Sequence, residues 1–305
     1  MGDIYKLITL RPEVSGERID KYISAESDLT RNSAAILIKD GNCIVNGRSV
    51  NKNYKLRIGD LVELNIPLPK DIDLIPENIP LDIVFEDDDM IVVNKPQGMV
   101  VHPAHGHFSG TLVNALLYHC KDSLSGINGE LRPGIVHRID MNTSGLLMVA
   151  KNDFAHVRLA SQIKEHNIKR EYEAIVSGNL RQDGKIENPI GRDPKDRKKM
   201  AVTEKNSKTA VTHYHVIENF KNAAYLKVSL ETGRTHQIRV HMAYIGHPVL
   251  GDNVYGSGKP KSLDGQCLHA KTIGFVHPRS GEYLEFSNEL PDYFKNLLDD
   301  LRKPF

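Results

Sequence analysis

The sequence contains no tryptophan, and aromatic residues of all kinds make up only 6% of it. Any core it builds has to be mainly aliphatic. Cysteine is scarce as well: Cys43, Cys120 and Cys267 lie far apart and no C-x-x-C pair occurs. That spacing argues against a cysteine zinc site, and a sparse, odd count suits a reducing compartment better than a disulfide framework. No apolar run approaches the roughly 18 residues of a membrane-spanning helix. The opening residues carry Asp3 and no apolar stretch, so they do not read as a secretory signal. A cytoplasmic protein without membrane contact is expected. Net charge is also nearly absent, at +1 from 40 basic and 39 acidic residues. A uniformly basic, histone-like chain is excluded, but not a nucleic-acid binder with segregated patches.

What is present is the composition of a globular chain: 40% hydrophobic, 26% charged, with too few Gly and Pro for a fibrous or low-complexity protein. A length of 305 residues allows one large domain or two unequal ones. Residues 4–10 alternate as a strand, 16–23 read as a short helix, and 31–39 as a second, capped by Thr30 or Ser33 and ended by Gly41. Short β runs follow at 43–45 and 60–66, and Asn46-Gly47 is a hairpin-turn signal. Residues 1–66 therefore read as a small helix–helix–sheet module. Pro67, Pro69, Pro76 and Pro80 then mark 67–81 as a linker. Within 71–89 lie eight acidic residues and no basic one, which makes that stretch a poor surface for a polyanion.

From 82 to 305 strands dominate. Runs at 83–85, 90–93, 145–150, 169–177, 209–217, 223–231, 267–275 and 282–286 read as strands, and 135–136 as another beside 146–149. Helices are expected at 112–118, from an Asp153 cap to about 166, at 235–245 and after Pro291. Without a regular βαβ alternation, the fold class is α+β with a mainly antiparallel sheet.

Several motifs fail on context. His137-Arg-Ile-Asp140 resembles a kinase catalytic loop, but no Gly-rich loop or Asp-Phe-Gly accompanies it. Gly256-Ser-Gly-Lys259 lacks the leading Gly of a P-loop and has Pro260 where Ser or Thr is needed. His102, His105 and His107 sit in a Pro/Gly-rich loop without a nearby carboxylate and read as loop histidines rather than metal ligands.

Three stretches survive. Arg132-Pro-Gly-Ile-Val-His-Arg-Ile-Asp140-Met-Asn-Thr-Ser-Gly-Leu-Leu places charged Arg138 and Asp140 in a loop supported by apolar strands, a rigid platform for a reactive side chain. A structural Asp in an Asx-turn fits the same residues. Thr232-Gly-Arg-Thr-His-Gln-Ile-Arg239-Val-His241 clusters Arg234, His236, Arg239 and His241 where a strand gives way to a helix, a setting that attracts anions; Arg239 equally suits a carboxylate partner. The run 192–208 holds seven basic and three acidic residues, including Arg197, Lys198 and Lys199, and reads as a mobile loop for a phosphate backbone.

These stretches together resemble the RluA/RluD family of RNA pseudouridine synthases. His137-Arg-Ile-Asp140 followed by Thr-Ser-Gly-Leu-Leu matches the family signature; Gly233-Arg-Thr-His-Gln-Ile-Arg-Val-His and Gly246-His-Pro-Val-Leu-Gly-Asp252 match its later motif. Lys169-Arg-Glu-Tyr172-Glu-Ala fits its tyrosine strand and Leu268-His-Ala270 a further landmark. The basic run resembles the RluD branch, and residues 14–66 the alpha-L RNA-binding module shared with a small-subunit ribosomal protein. Ile139 stands where Leu is usual, and Met141-Asn142 replaces a more usual charged pair.

The resemblance implies an α+β chain with an RNA-binding module at 1–66 and a catalytic domain at 82–305. It implies isomerisation of uridine to pseudouridine in structured RNA, with large-subunit ribosomal RNA expected, and a monomer. No cofactor, metal or group donor is implied. By resemblance Asp140 is the catalytic carboxylate, Arg239 its ion-pair partner and Tyr172 the aromatic residue packing on the base. Arg138 then fills the stack that a flipped nucleotide leaves. Arg234, His236, Arg197, Lys198 and Lys199, with Arg31, Lys39 and Arg48 on the module, are the expected RNA contacts. A non-catalytic RNA-binding or ribosome-assembly protein would use the same module and basic run but would not need Asp140, Tyr172 and Arg239 together. A synthase for transfer RNA is the other alternative.

Overall fold

Two units with separate cores organise the chain, Met1–Asp73 and Leu74–Phe305. The structure is a computed structural model that describes residues 4–27, 29, 31–67, 74–103, 107–121, 123–127, 132–196, 199–256 and 263–303; for 4–6, 32, 33 and 67 only the backbone is described.

The small unit runs β1 (Ile4–Leu10), α1 (Ile19–Glu26), α2 (Arg31–Lys39), β2 (Cys43–Val45), β3 (Arg48–Ser49) and β4 (Val62–Pro67), with sheet order β1-β4-β2-β3. Asn46 and Gly47 both have positive φ, 51° and 76°, as a two-residue hairpin turn requires. Ile19 and Ile23 of α1 and Ala34 and Ile38 of α2 pack on Cys43, Val62 and Leu64 of the sheet.

The large unit runs β5 (Ile83–Glu86), β6 (Met90–Lys95), α3 (Leu112–Cys120), β7 (Ser144–Ala150), α4 (Asp153–Lys164), β8 (Lys169–Ser177), β9 (Gly184–Glu187), β10 (Ile190–Arg192), β11 (Met200–Val202), β12 (Val211–Asn219), β13 (Ala223–Leu230), α5 (Gln237–Tyr244), β14 (Leu268–Val276), β15 (Tyr283–Ser287) and α6 (Asp292–Arg302). Nine strands form one sheet in the order β5-β6-β7-β14-β8-β13-β12-β9, with β15 on β14. Every described pairing in it is antiparallel except β7 with β14. The fold class is therefore α+β with a mainly antiparallel sheet.

Strand β7 shows why this sheet forms. All seven of its residues are buried, and alternation sends Leu147 and Val149 to one face and Leu146, Met148 and Ala150 to the other. Helix α3 covers the first face with Leu112, Val113 and Leu116; α4 covers the second with Ala155 and Leu159. At Gly145, φ is 114° and a Cβ would run into the backbone of Ala270, so only glycine lets β7 meet β14 here.

The structure corrects four sequence expectations. Ile135 makes one isolated bridge to Val149, not a strand with Val136, because Gly134 turns the chain with φ 71°. The cap of α4 is Asn152, whose Oδ1 accepts from the Ala155 amide, and not Asp153. The basic run 192–208 is no featureless loop: β10 and β11 pair across it, and Asp193 Oδ1 accepts from the amides of Lys195 and Asp196 at its turn. Of the stretch 67–81 read as a linker, Pro67 ends β4, while Leu74 and Leu81 pack on the large core and Asn114 donates to the Ile75 carbonyl. Just beyond it, three acidic residues of the 71–89 stretch have basic partners, although only Asp89 is buried. Glu86 meets Lys151 and His119, Asp87 meets His277, and Asp89 meets Arg279.

Candidate active site

Asp140 stands in the loop that leads into β7, and that loop is pinned on several sides. His137 Nε2 accepts the amide of Met148, so this histidine is a neutral structural pin; burial pushes it down to about 3. The Thr143 amide donates to the Asp140 carbonyl and closes a turn. Lys95, 1% exposed at the end of β6, donates from Nζ to the carbonyls of Pro96, Met99 and Met141 at 2.8, 2.8 and 3.0 Å. Its three ammonium protons thus match three carbonyls, one belonging to the residue after Asp140. Burial pushes Lys95 down to about 7, and the charge of Asp140 opposes that shift.

Arg239 approaches from α5. Its Nη1 donates to Asp140 Oδ2 at 2.8 Å, while Nε and Nη2 donate to the two oxygens of Asp252 at 2.7 and 3.0 Å. Asp252 is fully buried and also accepts from the amides of Val254 and Tyr255. Arg239 is therefore anchored by a bidentate pair before it reaches Asp140, a geometry only the planar guanidinium offers. Two carboxylates hold it charged, well above its ordinary value despite burial.

His236, in the left-handed conformation with φ 58°, begins α5. Tyr255 Oη accepts from the Met200 amide at 2.9 Å and lies 2.8 Å from His236 Nδ1. His236 Nε2 lies 3.8 Å from Asp140 Oδ1. Burial lowers the His236 pKa, against the pull of Asp140, so the ring is neutral at pH 7. The arrangement fits one tautomer: the Tyr255 hydroxyl donates to Nδ1, and Nε2 carries its proton toward Asp140. Just before α5, the Arg234 amide donates to Gln237 Oε1 and the Gln237 amide to the Arg234 carbonyl, which fixes the turn into the helix.

Tyr172, 8% exposed on β8, pairs in register with Ala270 and Val228. Burial raises its pKa and keeps it a phenol. Asp140, Tyr172 and Arg239 line one small cavity together with Arg138, Arg234 and His236. It adjoins a cleft of about 310 Å³ lined by Asp140, Arg138, His236 and Arg239. Six of the expected residues thus converge. Arg234 also donates from Nε to the Thr209 carbonyl. Lys199 lies on the β10–β11 hairpin, while Arg197, Lys198 and His105 lie outside the described residues, as does the stretch 257–260. Arg31 of the small unit is partly engaged, its Nε on buried Asp20 at 3.1 Å; Lys39 and Arg48 are exposed. The sequence reading gave no role to Asp252, Tyr255 or Lys95. Asp252 closes the Gly-His-Pro-Val-Leu-Gly-Asp motif and was within reach; Lys95 carried no separate signal.

A carboxylate held by a bridging arginine beside a buried tyrosine, at the edge of a cationic cleft, is a site for chemistry on a polyanion. The comparisons define that chemistry. The family model for RNA pseudouridylate synthase matches residues 89–244. The RNA pseudouridine synthase YlyB of Bacillus subtilis (strain 168) is 53% identical over 298 residues, which cover 97% of this chain and 98% of that one. The ribosomal large subunit pseudouridine synthase D of Zymomonas mobilis is 48% identical, covering 93% of each. Among solved structures, human RNA pseudouridylate synthase domain containing 1 superposes with a TM-score of 0.59 at 26% identity, over 77% of this chain and 98% of that one. The class is an RNA-modifying isomerase. The chain belongs to the RNA pseudouridine synthase family, and within it to the RluD-like branch.

Proposed function

We propose that this pseudouridine synthase acts on uridines of large-subunit ribosomal RNA, with Asp140 as the catalytic carboxylate. The observation that carries the reading is the Asp140–Arg239 contact of 2.8 Å in a cavity shared with buried Tyr172. The reaction breaks the bond from ribose C1′ to uracil N1, turns the base and joins C1′ to C5; the C5 proton leaves and N1 gains one. Asp140 attacks the ribose, attacks the base or removes a ribose proton, and each route begins with an ionised carboxylate. Arg239 fixes the direction of that carboxylate. Tyr172 offers an aromatic face to a base that must rotate, a contact without fixed hydrogen bonds. Arg138 fills the stack left by the flipped nucleotide. Arg234 and His236 contact the RNA beside the site.

The ribosomal target is supported by relatives named large-subunit synthases across nearly the whole chain. The small unit, taken as an alpha-L RNA-binding domain with Arg31, Lys39 and Arg48 toward phosphates, adds effective concentration on structured RNA, and Arg197, Lys198 and Lys199 add a second anchor. All three central residues come from one chain, which suits a monomer. A ribosomal RNA substrate supports a cytoplasmic location, and among the described residues no helix is long and apolar enough to cross a membrane. Pseudouridine mapping of total RNA from a deletion strain tests the reading. Loss of specific large-subunit sites supports it; loss confined to transfer RNA moves the substrate, and no loss anywhere overturns it.

A further inference from the structure

Beside the active-site cavity lies a second cavity of about 580 Å³, and its charge is one-sided. Arg132, Arg138, Arg170, Arg234 and Lys164 line it, with no Asp or Glu. Four of the five stand in or next to loops. Arg170 does not: it sits inside β8, two residues before Tyr172, and is only 8% exposed. Its Nε is buried with no hydrogen-bond partner among the described residues. Its Nη2 makes only a long 3.4 Å contact to the Glu231 carbonyl. No carboxylate of the described residues pairs with it. Gly233 makes room for this guanidinium, since a Cβ there would stand 2.6 Å from its Nη1.

A buried guanidinium whose Nε has lost water without finding an acceptor, and whose one contact is long, is short of an anionic partner. The contrast with Arg239, whose donors are filled by two carboxylates, is direct. The missing partner is an anion that arrives from outside. His102, with a buried Nδ1 that also lacks a partner among the described residues, lines both this cavity and the active-site cleft. Arg138 and Arg234 line both this cavity and the one that holds Asp140 and Tyr172. The second cavity thus adjoins the active site through shared His102, Arg138 and Arg234.

We propose that the cavity is a phosphodiester subsite in which Arg170, assisted by Arg132, Arg138 and Arg234, grips a backbone phosphate of the RNA next to the target uridine. The inference rests on the reading of the chain as an enzyme acting on RNA. An arginine fork suits a phosphate because two parallel N–H groups meet two oxygens. A site of this kind reads no sequence; it sets the register of the strand, so that the neighbouring base falls over Tyr172.

The test is equilibrium binding of a fluorescein-labelled stem–loop RNA with a uridine-rich loop, as a function of salt, for wild type, Arg170→Gln, Arg170→Lys and exposed Arg132→Gln. Loss of one charged hydrogen-bond partner predicts a fall in affinity of about 10-fold or more for Arg170→Gln. It also predicts a log–log salt slope shallower by about one phosphate contact. Arg170→Lys keeps the slope and loses less affinity, which separates the subsite from a folding defect, and Arg132→Gln reduces the slope without threatening the fold. Neutralising the loop phosphates one at a time as methylphosphonates should expose one linkage that weakens wild type but not Arg170→Gln. Wild-type slope and affinity in Arg170→Gln, or equal losses at every linkage in both proteins, overturn the proposal. The readout is binding, so RNA held through Arg170 without turnover would sink the catalytic reading and leave the subsite standing. Failure of the wild-type protein to bind RNA at all sinks both.

Discussion

Arg239 donates from Nη1 to Asp140 Oδ2 at 2.8 Å, joining two residues 99 positions apart in the chain. The contact is directed because the other side of the guanidinium is already fixed on Asp252. Asp252 therefore governs the orientation of Asp140 without facing it.

Replacing Asp252 with Asn should lower turnover by about 10-fold or more, although Asp252 is buried away from the cleft. The second carboxylate that holds Arg239 is removed, and a guanidinium with one anchor swings. Arg239→Ala should be worse, since breaking a buried ion pair typically costs about 3–5 kcal/mol. Arg234→Ala should do less. Steady-state kinetics beside thermal melts checks this; a larger defect in Arg234→Ala at matched stability would reverse the roles of the two arginines.

Tyr255→Phe removes the hydroxyl between the Met200 amide and His236 Nδ1. The histidine ring then loses its preferred tautomer, and the β10–β11 hairpin loses its link to the cleft. Expected are a fall in kcat with little change in fold and a histidine Nδ1 resonance that moves in NMR. An unmoved resonance would show that Tyr255 does not set the ring.

The Asp89–Arg279 pair supplies a pH test. Arg279 donates to both Asp89 oxygens at 2.6 Å and holds the carboxyl down to about 2. A depressed carboxylate stabilises the fold above its ordinary value of 3.8 and loses that contribution as pH falls toward 2. Arg279→Ala should thus move acid unfolding to higher pH, read by circular dichroism between pH 1.5 and 6. Superimposable curves would mean that another group controls the acid transition.

Much of this architecture was legible because it is periodic. The alternation of 169–177 and 223–231 gave β8 and β13, and the Asn46-Gly47 pair gave a turn that needs two positive φ angles. What failed was short or masked by charge. Strands β10 and β11 have three residues each and flank Asp-Pro-Lys-Asp-Arg-Lys-Lys, whose polarity hides the pairing. At the site, Asp140 and Arg239 stood out through their motifs, while Asp252 was a motif member without a role. Arg170 escaped notice because a charged residue within a strand reads as solvent-facing. Yet it shares parity with Tyr172 and Ala174, and all three are buried.

Removing residues 1–73 should leave the large unit folded, since it carries its own core around β7. Activity on structured ribosomal RNA should fall, and the salt dependence of RNA affinity should become shallower through the loss of cationic contacts. Equal slopes for the full-length and shortened proteins would leave the basic hairpin as the principal anchor. Neutralising Arg197, Lys198 and Lys199 together then tests that anchor.

The central claim is that Asp140 carries the chemistry, and Asp140→Asn tests it most directly. The amide is nearly isosteric and keeps an acceptor for Arg239, but it is a far weaker nucleophile and base. With RNA tritiated at uridine C5, wild type should release tritium as C5 joins C1′. Asp140→Asn should bind the same RNA, melt near the wild-type temperature and release none above background. Substantial release by the folded mutant would contradict the account.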